Sequence, residues 1–272
     1  MAERAARISL RTVALGYVAL LIGVPVGMVF YQALKPGIGA FVDAVSSPEA
    51  LHAFWLTFVC VIAAVPLNTV FGIAAALYIV RGKGPGRRVL DAVIDLPFAI
   101  SPVVVGLSLI LVYGQNGWFG DDLARAGVQV IFALPGMILA TIFVSLPFVA
   151  REVIPVLREI GDEQEQAAHT LGAGAWQTLR RVTLPSIKWG LGYGVVLTTA
   201  RALGEFGAVS VVSGKLVGQT DTATLLVANR YENFDLPGAY AVSVVLAATA
   251  LLVIFSLTLL QRRQERSMKE ES

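Results

Sequence analysis

Of 272 residues, 56% are hydrophobic and only 15% charged, and the mean hydropathy is +0.72. That balance excludes an ordinary water-soluble domain and points to a chain that folds in a bilayer. A formal charge of +2 argues against nucleic-acid binding, and the single cysteine, Cys60, excludes a disulfide framework or a thiol-rich metal site.

Roughly 20 mostly apolar residues cross a hydrocarbon core of about 30 Å. Six stretches meet that standard, at 12–33, 54–80, 93–113, 129–150, 187–213 and 239–260. The expected fold is therefore all-α, with about six transmembrane helices. The first stretch follows basic residues but is too long for a signal-peptide core and has no small-residue cleavage pattern after it, so it reads as a retained span. The connectors alternate in charge. Arg4, Arg7 and Arg11 precede the first span; Arg81, Lys83, Arg87 and Arg88 follow the second; Arg151, Arg158, Arg180, Arg181 and Lys188 follow the fourth; Arg262, Arg263, Arg266 and Lys269 close the chain. These are 16 of the 21 basic residues, and the positive-inside rule places both termini in the cytoplasm.

Pro25, Pro66, Pro97, Pro102, Pro135 and Pro147 fall in or at the ends of the apolar runs, which predicts a packed bundle of kinked helices. Asp91 and Asp95, ahead of Pro97, are expected to cap the start of the third span. Trp118 and Phe119 fit an interfacial aromatic anchor. Asn68 fits an interhelical hydrogen bond. His52 and His169 lie in connectors on opposite sides of the membrane and cannot share a metal.

The longest connector, 151–185, contains GDEQEQAAHTLGAGAWQTLRRVTLPSI over 161–187. Its pattern predicts two short helices. Asp162 and Glu163 favour the start of the first, and Gly172 and Gly174 end it. A second helix is expected from about Ala175, with Trp176, Leu179 and Val182 on one face and a stop at Pro185. An apolar stripe in water needs a covering partner.

This connector resembles the cytoplasmic loop of the permease subunits of binding-protein-dependent ABC importers, whose pattern is E-A-A, three residues, G, nine residues, I-x-L-P. The matching residues are Ala167, Ala168, Gly172, Val182, Leu184 and Pro185, with Gln166 where the family usually has Glu, and Glu165 one position earlier. Further segments are similar to the sulfate and thiosulfate branch, in particular its CysW-type permeases: IDLPFAISPVVVGL (94–107), NGWFG (116–120), IFALPGMILAT (131–141), LPFVAREVIPVL (146–157) and RALGEFGAVSVVSG (201–214). Molybdate permeases share parts of this set, so a molybdate or tungstate importer remains the alternative. The resemblance implies a type I (MetI-like) importer fold with cytoplasmic coupling helices in the bacterial inner membrane. It implies a CysT-type permease partner, two copies of a CysA-type ATPase that binds ATP and Mg, and an extracytoplasmic sulfate-binding protein. It also implies ATPase docking through Glu165, Gln166, Ala167, Ala168, Gly172, Trp176, Leu179, Leu184 and Pro185. The organisation expected is a cytoplasmic segment, first span and outer connector over 1–50, a permease domain over 51–260 with the coupling loop at 162–187, and a cytoplasmic tail over 261–272.

Arg201 and Glu205 stand four residues apart in the fifth span, on one helix face. Ionisable groups at that depth face the bundle interior or a wet path. Two readings stand side by side: a salt bridge that locks the helix, and an arginine that lines an anion path and is partly neutralised by Glu205. Thr198 and Ser210 are candidates for the same path, although hydroxyls also bond their own helix carbonyls.

The chain has no Gly-rich phosphate cradle ending in Lys-Ser or Lys-Thr, so ATP hydrolysis is expected in a partner and no cofactor is expected in this chain. A secondary carrier would leave the cytoplasmic loop unexplained. An intramembrane serine protease lacks an intramembrane histidine.

Overall fold

The computed structural model describes the backbone of residues 2–270 and the side chains of residues 9–256. Every regular element among them is helical. The first span is α1 (Ala2–Val18), a π turn (Ala19–Gly23) and α2 (Val24–Leu34). The π turn lies just ahead of Pro25, where a widened hydrogen-bond ladder accommodates the missing donor. Of the described side chains in this span only Ala33 is buried, so nearly its whole apolar surface is left to lipid or to another chain.

The short α3 (Ile38–Ser46) leads into α4 (Pro48–Arg81), the 34-residue axis of the bundle. The start of α4 is built from the expected parts. Ser47 accepts the backbone N–H of Ala50 at 3.3 Å, Pro48 takes the first helical position and Glu49 lies in the first turn. The expected third span is broken. It consists of α5 (Gly86–Ile94), α6 (Leu96–Ala99) and α7 (Pro102–Tyr113), with a bend of 111° before α7. Proline disfavours helical angles in the residue before it, and Ser101 accordingly has ψ 134°. Asp95 makes no capping bond and Asp91 lies inside α5, so neither caps this span as expected.

After α8 (Gly120–Arg125), the helices α9 (Leu134–Ser145) and α10 (Pro147–Glu159) form one span, Leu134–Glu159. It runs nine residues past the expected end, because 151–159 continues as an amphipathic helix rather than opening the connector. The loop helices α11 (Glu163–Thr170), α12 (Ala175–Thr178), a π turn (Leu179–Thr183) and α13 (Leu184–Ser186) follow. The expected fifth span is α14 (Lys188–Leu203), 16 residues long, then a break, then α15 (Gly207–Val212). The connector after it holds an unexpected helix, α16 (Ala223–Glu232), before α17 (Leu236–Glu270). By length and composition, four described helices suffice to cross a membrane, and five if the bent pair is one span. The chain is a multi-pass membrane protein.

Two apolar clusters hold the bundle. The one nearer the basic connectors joins Ala75, Ile79, Ile94, Val149, Val153, Leu157 and Ile187 from α4, α5, α10 and the head of α14. The other joins Leu56, Val105, Met137, Val209, Val212 and Leu225 from α4, α7, α9, α15 and α16. Small residues set the spacing. A Cβ on Gly72 would fall 2.6 Å from that of Val149, and one on Gly194 would fall 2.8 Å from the Val149 Cα, so α4, α10 and α14 touch backbone to backbone. Asn68 joins α4 to α9 by donating to the Ile142 carbonyl at 3.0 Å and to Ser145 Oγ at 2.8 Å.

Candidate coupling loop and broken span

Helix α11 ends in a Schellman motif. Ala173 N–H donates to the Ala168 carbonyl at 3.0 Å and Gly172 N–H to the His169 carbonyl at 3.0 Å, with Gly172 at φ +83°. Only Gly172 needs to be glycine. Gly174 has φ −72° and ψ 162°, an ordinary extended geometry, so the expectation that both glycines end the helix is corrected: Gly172 alone supplies the left-handed angle. Asp162 sits at the N-cap position but its side chain makes no capping bond; Glu163 and Glu165 in the first turn complement the helix dipole.

The second loop helix continues through Pro185 instead of stopping there. The π turn Leu179–Thr183 precedes the proline, and the helical path ends at Ile187 with φ −92° and ψ 3°. Ile187 is fully buried and opens directly into α14, so the loop and the broken span form one mechanical line. At the loop tip Leu171 is 88% and Trp176 71% exposed, while Leu179 and Leu184 are half-buried. An open groove between the two loop helices is lined by Ala167, Ala168, Leu171, Val182 and Pro185. Gln166 faces solvent.

Glu165 points the other way. Its Oε2 lies 3.0 Å from Arg81 Nε at the end of α4, and its Oε1 accepts the Thr183 hydroxyl at 2.9 Å. Arg81 also donates to the Gly161 carbonyl. One carboxylate thus joins the two halves of the loop to the long axis of the bundle. Sequence reasoning took Arg81 only as a topological charge; its place as the last residue of α4 beside a polar loop was the available signal.

Along the span, Arg201 Nη1 lies 2.7 Å from Glu205 Oε2, with the Glu205 side chain 3% exposed and that of Arg201 30% exposed. Glu205 Oε1 accepts the Ala208 N–H at 2.8 Å and its carbonyl accepts the Thr224 hydroxyl at 2.7 Å. The break at Gly204 therefore has a cause: the carboxylate caps α15 while holding the arginine of α14. Thr198 is fully buried and donates to the Gly194 carbonyl at 2.7 Å; Ser210 donates to the Gly207 carbonyl at 2.8 Å. Both hydroxyls are thus satisfied by their own helices.

Two further arginines also had unforeseen partners. Arg151 clamps Asp91 at 2.7 Å and Asp95 at 2.6 Å. Arg230 on α16 donates to the Ala44 carbonyl at 3.0 Å and Ser47 Oγ at 2.8 Å, pinning α16 to the head of α4. Asp221, just before α16, is 1% exposed, and neither oxygen has a hydrogen-bond partner among the described residues. Burial pushes its carboxyl above its ordinary value near 3.8; Lys215 opposes that rise and Glu49 adds to it. Among the described residues no cluster of His, Cys, Asp and Glu could hold a metal.

The sequence profile described as "Binding-protein-dependent transport system inner membrane component" matches residues 68–270. The sulfate transport system permease protein CysW of Synechocystis sp. is 51% identical over 92% of this chain and 91% of its own. The sulfate transport system permease protein CysT of Escherichia coli K12 is 38% identical over 91% and 89%. A chain in the crystal structure of a bacterial alginate ABC transporter, in complex with alginate pentasaccharide-bound periplasmic protein, shares the fold at a TM-score of 0.76, 18% identity and 96% coverage of both chains.

Proposed function

Because this chain belongs to the family of binding-protein-dependent transport system inner membrane components, we propose that it is a CysW-type permease subunit of a bacterial sulfate importer in the inner membrane. The observation that carries this reading is 51% identity to a CysW permease across nine-tenths of both chains. A homologous CysT-type permease would complete the translocation path, consistent with the similarity to both permease types. An extracytoplasmic sulfate-binding protein would deliver the anion, with thiosulfate as a second cargo. Two copies of a CysA-type ATPase would bind ATP and Mg and drive the cycle.

The geometry supports a particular transmission route. The ATPase would grip the exposed tip at Leu171 and Trp176 and the groove beside Ala167 and Ala168. A push there reaches α4 through Glu165 and Arg81 and reaches α14 through Ile187, so two core helices move with the loop. Arg201 would meet the anion from the broken span, its charge moderated by Glu205. Thr198 and Ser210 would act there only by giving up the carbonyls they now bond.

Radiolabelled sulfate uptake by a deletion strain complemented with this chain tests the assignment, with molybdate as competitor. Restored uptake that molybdate does not suppress is expected; uptake that is unaffected by the deletion, or molybdate uptake in its place, overturns it. Trp176→Ala should lower ATPase co-purification or uptake at least several-fold, and wild-type levels of both would remove Trp176 from the docking surface.

A further inference from the structure

We propose that the edge of α5 facing the basic side of the membrane binds an anionic phospholipid, with the phosphate held by Arg87, Arg88 and Arg158 and an acyl chain lying along Val89, Val93 and Leu96. Arg87, Arg88 and Arg158 all line one cavity of about 320 Å³ between α4, α5 and α10. None of them has a hydrogen-bond or ion-pair partner among the described residues. That separates them from Arg81, Arg125, Arg151, Arg201 and Arg230, each of which lies within 4 Å of a carboxylate. The cavity's one acid, Asp91, is already held by Arg151 at 2.7 Å and does not neutralise the cluster. Three unpaired arginines lining one cavity favour a polyvalent oxyanion.

The second half of the ligand is read from the adjoining surface. Arg88 also lines an apolar groove of about 380 Å³ with Val89, Ala92, Val93 and Leu96. Val89, Val93 and Leu96 are 62%, 48% and 44% exposed, at a spacing that keeps them on one helix face. The 111° bend before α7 lays α5 and α6 across the direction of that span, the posture of an interfacial helix. A ligand that fills both halves is anionic at one end, apolar at the other and confined to the membrane plane. An anionic glycerophospholipid fits that description and a free oxyanion does not. Basic recesses between spans on this face are suited to such headgroups.

Native mass spectrometry of the full-length chain, in the assembly with which it copurifies, tests the site with phosphatidylglycerol and phosphatidylcholine as probes. The wild type should retain phosphatidylglycerol and not phosphatidylcholine. Each arginine removed in the series Arg88→Gln, Arg88→Gln/Arg158→Gln and the triple variant with Arg87→Gln should weaken retention about fivefold. Arg88→Gln alone keeps the test available if the triple variant does not assemble. Val93→Gln/Leu96→Gln should weaken retention without changing any charge, and Arg125→Gln should leave it unchanged. Equal retention in all variants overturns the proposal, as does absence of phosphatidylglycerol from the wild type. Tight binding of inorganic sulfate that depends on these arginines but not on Val93 and Leu96 would replace the lipid with a free oxyanion.

Discussion

Glu165 in the candidate coupling loop and Glu205 in the broken fifth span each meet an arginine, and the two guanidinium–carboxylate pairs join different things. Arg201 and Glu205 lie four residues apart, with the carboxylate almost wholly buried, so their pair organises one stretch of chain. Arg81 and Glu165 lie 84 residues apart and are both partly exposed, so theirs fastens one element to another. The first fixes a shape, and the second would transmit a displacement along the proposed coupling route. Loss of the first should register mainly in stability, and loss of the second mainly in coupling.

The largest effect is expected from Arg201→Gln. Glu205 would keep its buried position without a counter-charge, at a cost of roughly 3–5 kcal/mol when a buried pair is broken from one side. Thermal unfolding of the purified transporter measures the loss, and Arg201→Gln/Glu205→Gln should recover much of it because the neutral side chain can still accept the Ala208 N–H. The double variant also separates the two readings of the arginine. Recovered stability with recovered sulfate uptake makes the pair a helix lock; recovered stability without uptake places Arg201 in the anion path.

The loop's own shape rests on backbone geometry rather than on charge, which makes its glycines a sharper instrument. An added Cβ at either Gly172 or Gly174 meets nothing within 4 Å, so crowding plays no part in the outcome. Gly172→Ala should destabilise α11 by about 1 kcal/mol because φ is +83° there. Gly174→Ala should be neutral or stabilising by up to about 0.5 kcal/mol. Amide exchange across α11 reads both, and equal effects would refute the Schellman assignment.

These contrasts show where the sequence was legible. The first, second, fourth and sixth spans could be read because they are long, apolar runs whose prolines fall at helix starts or are tolerated by their neighbours. The third and fifth were read as single spans and are broken. Hydropathy does not register the angle imposed on Ser101 by Pro102, or the cap Glu205 makes to Ala208. Helix α16 escaped because its sequence, ATLLVANRYE, is too short for a span and its anchor, Arg230, finds acceptors near Ala44 and Ser47 that only the fold supplies. In the loop, the glycine break and apolar second helix were visible. The partner of Glu165 was not, because it lies more than 80 residues away.

Glu165→Gln sharpens the comparison from the other side. The pair with Arg81 keeps some solvent contact, and an amide at this position can still accept from Arg81 and Thr183, so the substitution should cost about 1 kcal/mol. The effect on transport should be disproportionate: ATP hydrolysis by the copurified ATPase persists while sulfate uptake falls. The exchange Arg81→Glu/Glu165→Arg should restore part of the uptake. Uptake at the wild-type level in Glu165→Gln would remove the Glu165–Arg81 pair from the proposed route.

Asp221 completes the series as a buried carboxylate with no hydrogen-bond partner among the described residues, and its contribution should appear as a slope against pH. Its folded-state pKa is raised by burial, with Lys215 opposing and Glu49 adding. The unfolded chain releases this proton near 3.8, whereas the folded chain holds it to higher pH. The stability associated with the protonated acid is therefore fully present below about 3.8 and is lost as pH rises from there through the folded value. Asp221→Asn removes the titration while keeping the shape. Its melting temperature should exceed that of the wild type at neutral pH, and the difference should shrink as the medium is acidified. A difference that stays constant with pH would mean that Lys215 compensates the ionised carboxylate fully, and Asp221 would then join Glu165 and Glu205 as a paired acid.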